Sequence, residues 1–176
     1  ESFIRNDRTI DQIRTLDGKI RFFETACKKD PGSPYVSQHY ARMLMREEKH
    51  ELALGQSGLA IDKGPQVRVL HHTRGMVLMQ LALSVDSDDI ARRRLAQSES
   101  SFRRGLALYR RDEYCYQGLA RLYLGWAKRA STPEESAEYI MKAEQVISEG
   151  LMIVRVRYGL WIESSNIEAY LGNEPS

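Results

Sequence analysis

Apolar side chains recur every three or four positions along the chain, the spacing of one face of an α-helix. From 8 to 29 the series is Ile10, Ile13, Leu16, Ile20, Phe23 and Cys27. It predicts one helix, or two helices meeting near Asp17-Gly18. Asp30-Pro31-Gly32-Ser33 then reads as a turn. Between Pro34 and Pro65 the pattern adds small residues at Ala41, Ala53 and Ala60. Two helix backbones can approach closely there, and Tyr40, Leu44, Leu52 and Leu59 are expected to fill the space between them. Pro65 cannot continue the second helix and ends it.

The pattern then restarts twice. Counting Arg68 as position 1 puts Gly75 at position 8 and Leu78 at 11, but the later marks, Ser98, Phe102 and Gly105, arrive late. Counting from Glu113 puts Tyr116 at 4, Leu119 at 7, Ala120 at 8 and Tyr123 at 11, and Ala143, Ile147 and Gly150 are late by the same amount. Leu44 to Ala53 takes 9 residues, whereas Leu78 to Ser98 and Tyr123 to Ala143 each take 20, so both units carry an 11-residue insertion. The insertions read as additional helix. Leu81 and Leu83 extend one apolar face, and Trp126 and Ala127 extend the other. Thr132, Pro133 and Glu135 then form a start signal with a capping box, while Ser87 stands ready to cap a helix beginning at Asp88. A last helix is expected over Tyr158 to Gly172, with Trp161, Ile167, Tyr170 and Leu171 sealing the end of the stack.

With Pro34 as position 1, Tyr40 and Ala41 fall at 7 and 8, Leu44 at 11, Ala53 at 20, Ala60 at 27 and Pro65 at 32. This resembles the tetratricopeptide repeat (TPR), a helix-turn-helix unit of about 34 residues. Ser37 at position 4 and Ser57 at position 24 depart from its aromatic marks. The resemblance implies an all-α, right-handed solenoid of antiparallel helix pairs, two of its repeats having lengthened helices. It divides the chain into a degenerate N-terminal repeat (1–33), a repeat (34–67), two long repeats (68–112 and 113–157) and a capping helix (158–172). In that family, positions 2, 5, 9, 12 and 13 of each first helix line a concave, partner-binding surface. Carried over, they are Tyr35, Gln38, Arg42, Met45 and Arg46 in the first unit. The second gives Val69, His72, Met76, Met79 and Gln80, and the third Tyr114, Gln117, Arg121, Leu124 and Gly125. Some members grip a terminal carboxylate with Lys at 5 and Asn at 9, where this chain has Gln38 and Arg42.

Composition narrows the function. A chain of 176 residues, 42% hydrophobic and 28% charged, is ordinary for a folded protein. A net charge of +2 points to neither nucleic acid nor an anionic membrane by itself. The longest apolar run, Gly75 to Val85, is half the roughly 20 residues a bilayer span needs. Cys27 and Cys115 are too few for a disulfide framework and read as reduced thiols, consistent with a cytoplasmic location. The start at Glu1 reads as a piece of a longer protein.

No phosphate loop, dinucleotide fingerprint, HExxH or nucleophile-elbow motif is present, and no cofactor is expected. Asp86-Ser87-Asp88-Asp89 begins like a calcium loop, but Ala91 and Gln97 stand where the loop needs Gly and Glu. Adjacent His71 and His72 diverge by about 100° on a helix and cannot share one metal ion unaided. Arg93, Gln97, Ser100, Arg104 and Arg111 form a polar helical stripe, read as a solvated outer face, with an acidic partner or nucleic acid as the alternative. The sequence therefore predicts a non-catalytic module that binds a protein or peptide segment, of another polypeptide or of its own parent chain. A sensor arm of a nucleotide-hydrolysing signalling or defence protein is the second reading, and nucleic-acid binding through the arginines the third.

Overall fold

The computed structural model describes residues 10, 12–155 and 157–172, and these are helical without any strand. In chain order the helices are α1 (Leu16–Lys29), α2 (Pro34–Arg46), α3 (His50–Lys63), α4 (Arg68–Leu83), α5 (Asp88–Leu108), α6 (Glu113–Arg129), α7 (Pro133–Ile153) and α8 (Tyr158–Gly172). Successive helices pair as α2–α3, α4–α5 and α6–α7, and the first helix of each pair also packs on the first helix of the next. This is an α-solenoid.

Local chemistry fixes where the helices begin and end. Thr15, Ser33, Asp112 and Thr132 each accept a hydrogen bond from a first-turn backbone N–H, and Pro34 and Pro133 occupy first-turn positions that need no donor. Helix α2 stops in a tight turn in which Glu48 adopts a left-handed φ of 57° and Lys49 N–H returns to the Leu44 carbonyl at 2.9 Å. Ser87 does precede α5, but its side chain accepts no capping hydrogen bond.

The two insertions are helix. α4 and α5 run 16 and 21 residues and α6 and α7 run 17 and 21, against 13 and 14 for α2 and α3. Their far ends are tied together. Arg129 donates to the Val85 carbonyl and pairs with Asp88 at 2.8 Å, and Arg92 pairs with Glu135 at 2.5 Å.

Two buried clusters make the core. One joins Phe23, Tyr40, Met43, Leu44, Ala53 and Val77, with Phe23 stacked on Tyr40 at 5.0 Å. The other runs from α4 to α8 and includes Leu95, Phe102, Tyr116, Tyr123, Ile140 and Leu160. Helix α4 contributes to both, Val77 to the first and Met79 and Ala82 to the second.

Two packing expectations fail. Leu52 and Leu59 are exposed; the face of α3 that meets α2 consists of Ala53, Ser57 and Ala60, so close approach leaves no room for leucines between the backbones. Trp161 and Leu171 are also exposed, and α8 is sealed by Leu160 and Ile167. Trp161 stands 45 residues after Tyr116, which is buried because α7 covers it; among the described residues no helix follows α8 to do the same.

Candidate binding groove

The first helices α2, α4, α6 and α8 lie side by side, and one repeating contact sets their spacing. Gln38 of α2 donates through Nε2 to Thr73 Oγ1 of α4 at 2.9 Å, both residues being buried. Gln117 of α6 donates in the same way to Glu163 Oε1 of α8 at 3.0 Å. In each case position 5 of one first helix meets position 6 of the next. Between α4 and α6 the corresponding pair is His72 and Gly118, and no side-chain bond can form. The gap is filled instead by the Phe102 ring from α5. A Cβ on Gly75 would meet that ring at 2.6 Å, and one on Gly118 would meet it closer still. Ser98 Oγ donates to the Gly75 carbonyl at 2.7 Å, a second mark of how near α5 comes to α4.

His72 lies over this wedge, 5.9 Å from the Phe102 ring and 5.8 Å from that of Tyr114. Desolvation lowers its pKa to about 4, Arg42 and Arg121 push the same way, and Asp112 opposes them. It is a neutral ring at pH 7. Its neighbour His71 points elsewhere and donates through Nε2 to the Pro65 carbonyl at 2.8 Å. Among the described residues no group of three or more His, Cys, Asp or Glu could hold a metal ion. Cys115 is buried with its thiol pKa pushed up to about 12, chiefly by desolvation, so it stays protonated.

Two hollows open along the first helices. The first, about 440 Å³, collects Gln38, Arg42 and Met45 from α2, Val69, His72, Thr73 and Met76 from α4, and Tyr114 from α6. The second, about 740 Å³, lies between α4, α6 and α8 and is lined by Met79, Leu83, Arg121, Leu124, Lys128 and Tyr170, among others. Tyr35 and Arg46, at the two ends of α2, are exposed and line neither hollow. Met79 is almost fully buried and offers only its edge.

Electrostatics separates the two hollows. Arg42 is exposed and makes no ion pair with the described residues, so its guanidinium is available to a ligand. Arg121 instead pairs with Glu163 at 2.6 Å, and Glu163, buried, also accepts from Gln117 and Asn166. Both polar groove residues predicted on α6 thus hold α8 in place. Sequence reasoning missed Thr73, Phe102 and Glu163. Thr73 and Glu163 share register position 6, the one signal that could have marked them. On α5, Arg93, Gln97, Ser100 and Arg104 are exposed, while Arg92, Arg94 and Arg103 are drawn into pairs with Glu135, Glu51 and Glu99. No helix among the described residues is long and apolar enough to cross a membrane.

No protein-family model matches the chain, nor does any curated protein. Solved structures do. Yeast Tom70 superposes with a TM-score of 0.66 at 18% identity, covering 90% of this chain and 30% of that one. TTC0263, a thermophilic TPR protein of Thermus thermophilus, superposes at 0.59 with 16% identity, covering 92% of this chain and 96% of that one. This chain therefore spans about a third of the Tom70 chain. Together with the packing of the first helices, these likenesses establish a TPR-like helical-repeat fold.

Proposed function

We propose that this chain is a non-catalytic interaction module that receives a segment of another polypeptide, or of its own parent chain, in the hollow between α2, α4 and α6. The observation that carries this reading is the company Arg42 keeps. Its guanidinium, engaged by no described carboxylate, stands beside the apolar and aromatic surface of Met45, Val69, Met76 and Tyr114, over a wall already made rigid by the buried Gln38–Thr73 bond. A peptide with a carboxylate next to a large apolar side chain satisfies both features. The neutral His72 ring adds surface without charge. Peptides selected by display against the wild-type chain should lose about tenfold or more in affinity on Arg42→Glu or Val69→Glu, equivalent to roughly 1.4 kcal/mol. Both side chains are exposed enough that circular dichroism should be unchanged. Selected peptides that bind both variants as tightly as the wild type would place binding elsewhere.

A further inference from the structure

The turns that join each second helix to the next first helix lie at one end of the solenoid and touch in sequence. Gly64, after α3, lies against Pro34 at the start of α2. Arg68 at the start of α4 pairs with Asp112 in the α5–α6 turn, and Glu113 accepts from Gly159 N–H at the start of α8 at 2.9 Å. This edge carries a cation at every step: Lys28 and Lys29 close α1 beside Asp30, Arg68 follows the next turn, Arg111 lies in the third beside Asp112, and Arg155 and Arg157 lie in the fourth. Tyrosines interleave with them: Tyr35, Tyr109, Tyr114 and Tyr158 are 45%, 46%, 63% and 76% exposed. A hollow of about 450 Å³ opens in the middle, lined by Arg68, Arg111, Arg155, Tyr109 and Tyr114, together with Val154, Asp112 and Glu113. Asp112 is already neutralised by Arg68, which also stacks over Tyr109 at 4.7 Å, leaving Glu113 as the one uncompensated carboxylate of that lining.

We infer that this turn edge is a binding surface for single-stranded nucleic acid, adjoining the groove at Tyr114 but otherwise lined by different residues. A strand backbone needs a track of cations, and its bases need exposed rings on which to stack; the combination is what sequence-tolerant single-strand binders use. Packed neighbouring helices lie about 8–10 Å apart, so the cations recur at a short step that a flexible strand can follow, with rings at the first, third and fourth turns. An acidic or phosphorylated peptide would use the arginines but leave the exposed Tyr158 ring without a role, and base stacking gives it one.

Fluorescence anisotropy with labelled oligo-uridine and oligo-deoxythymidine of about 12 nucleotides tests this, the length being within the usual range of single-strand sites. Binding should weaken linearly in log affinity against log salt, and Arg111→Ala and Arg155→Ala should each lower that slope by about 0.7. Tyr109→Ala and Tyr158→Ala should each reduce affinity about fivefold or more while leaving the slope unchanged. Arg42→Glu, in the groove, should change neither, so this result is independent of the peptide reading. No measurable binding overturns the inference. So does binding insensitive to all four edge variants with helicity intact, or a phosphorylated peptide of equal charge that competes better than the oligonucleotide.

Discussion

Gly75 and Gly118 stand on neighbouring helices, and the Phe102 ring occupies the space that both leave open. A methyl group at either position would meet the ring closer than 3 Å and must displace it, and Phe102, fully buried, has no solvent side to move into. Gly75→Ala is therefore expected to destabilise by about 1–3 kcal/mol even though alanine is the better helix former. In the Phe102→Leu background the same change should cost less, and equilibrium denaturation of the double-mutant cycle measures the coupling. Additive costs would mean that ring and glycine do not share the space. The His72 ring above gives a second, pH-dependent test. Its folded pKa of about 4 lies below 6.5, so between those values the unfolded chain binds the extra proton. Its contribution is complete above pH 6.5 and is lost as pH falls towards 4, up to about 3 kcal/mol. Thermal midpoints of the wild type should fall more steeply over that window than those of His72→Gln, and parallel curves would show that His72 is not the group responsible.

At the scale of the helix, the start signals can be tested against each other. Thr132 Oγ1 accepts from Glu135 N–H at 3.2 Å, and Glu135 returns a carboxylate oxygen to Ser131 N–H at 3.0 Å. Ser87 holds the equivalent place before α5 and accepts nothing. Thr132→Ala should cost about 1 kcal/mol and Ser87→Ala close to none, read from denaturation midpoints. Equal costs would remove the distinction. The same contrast shows what was legible in the sequence. Spacing marked every helix from α2 to α8 because apolar period, proline and capping residues all act locally. It put Leu52 and Leu59 of α3 inward, and both are exposed. Ala53, Ser57 and Ala60 outcompete Leu52 and Leu59 for the seam because backbone proximity, set by the partner helix, decides the face. The groove was legible as a register, but its partners were not. Gln117 and Arg121 fall on the predicted face, and only the arrival of Glu163 from 42 residues further on shows Arg121 already engaged.

Across the whole molecule, each helix pair is stabilised mainly by its neighbours, so an array of this kind loses structure most readily from its ends. Helix α8 has α6 and α7 on one side only and leaves Trp161 exposed on the other. Its hold on the stack is partly apolar, through Leu160 and Ile167, and partly polar, through the Glu163 carboxylate that accepts from Gln117, Arg121 and Asn166. Glu163→Gln keeps the volume but removes the charge and half of the acceptor capacity, leaving a buried amide among three donors. Hydrogen bonds to a charged group contribute about 1.5–3 kcal/mol, so opening of α8 should become roughly 10- to 150-fold more frequent. Nearest-neighbour stability confines that loss. Amides of α8 should exchange faster by about that factor, those facing α8 on α6 and α7 by less, and those of α2 and α3 not at all. Uniform acceleration from α2 to α8 would mean that the molecule opens as one cooperative unit, and unchanged exchange in α8 would mean that Leu160 and Ile167 hold the helix without Glu163.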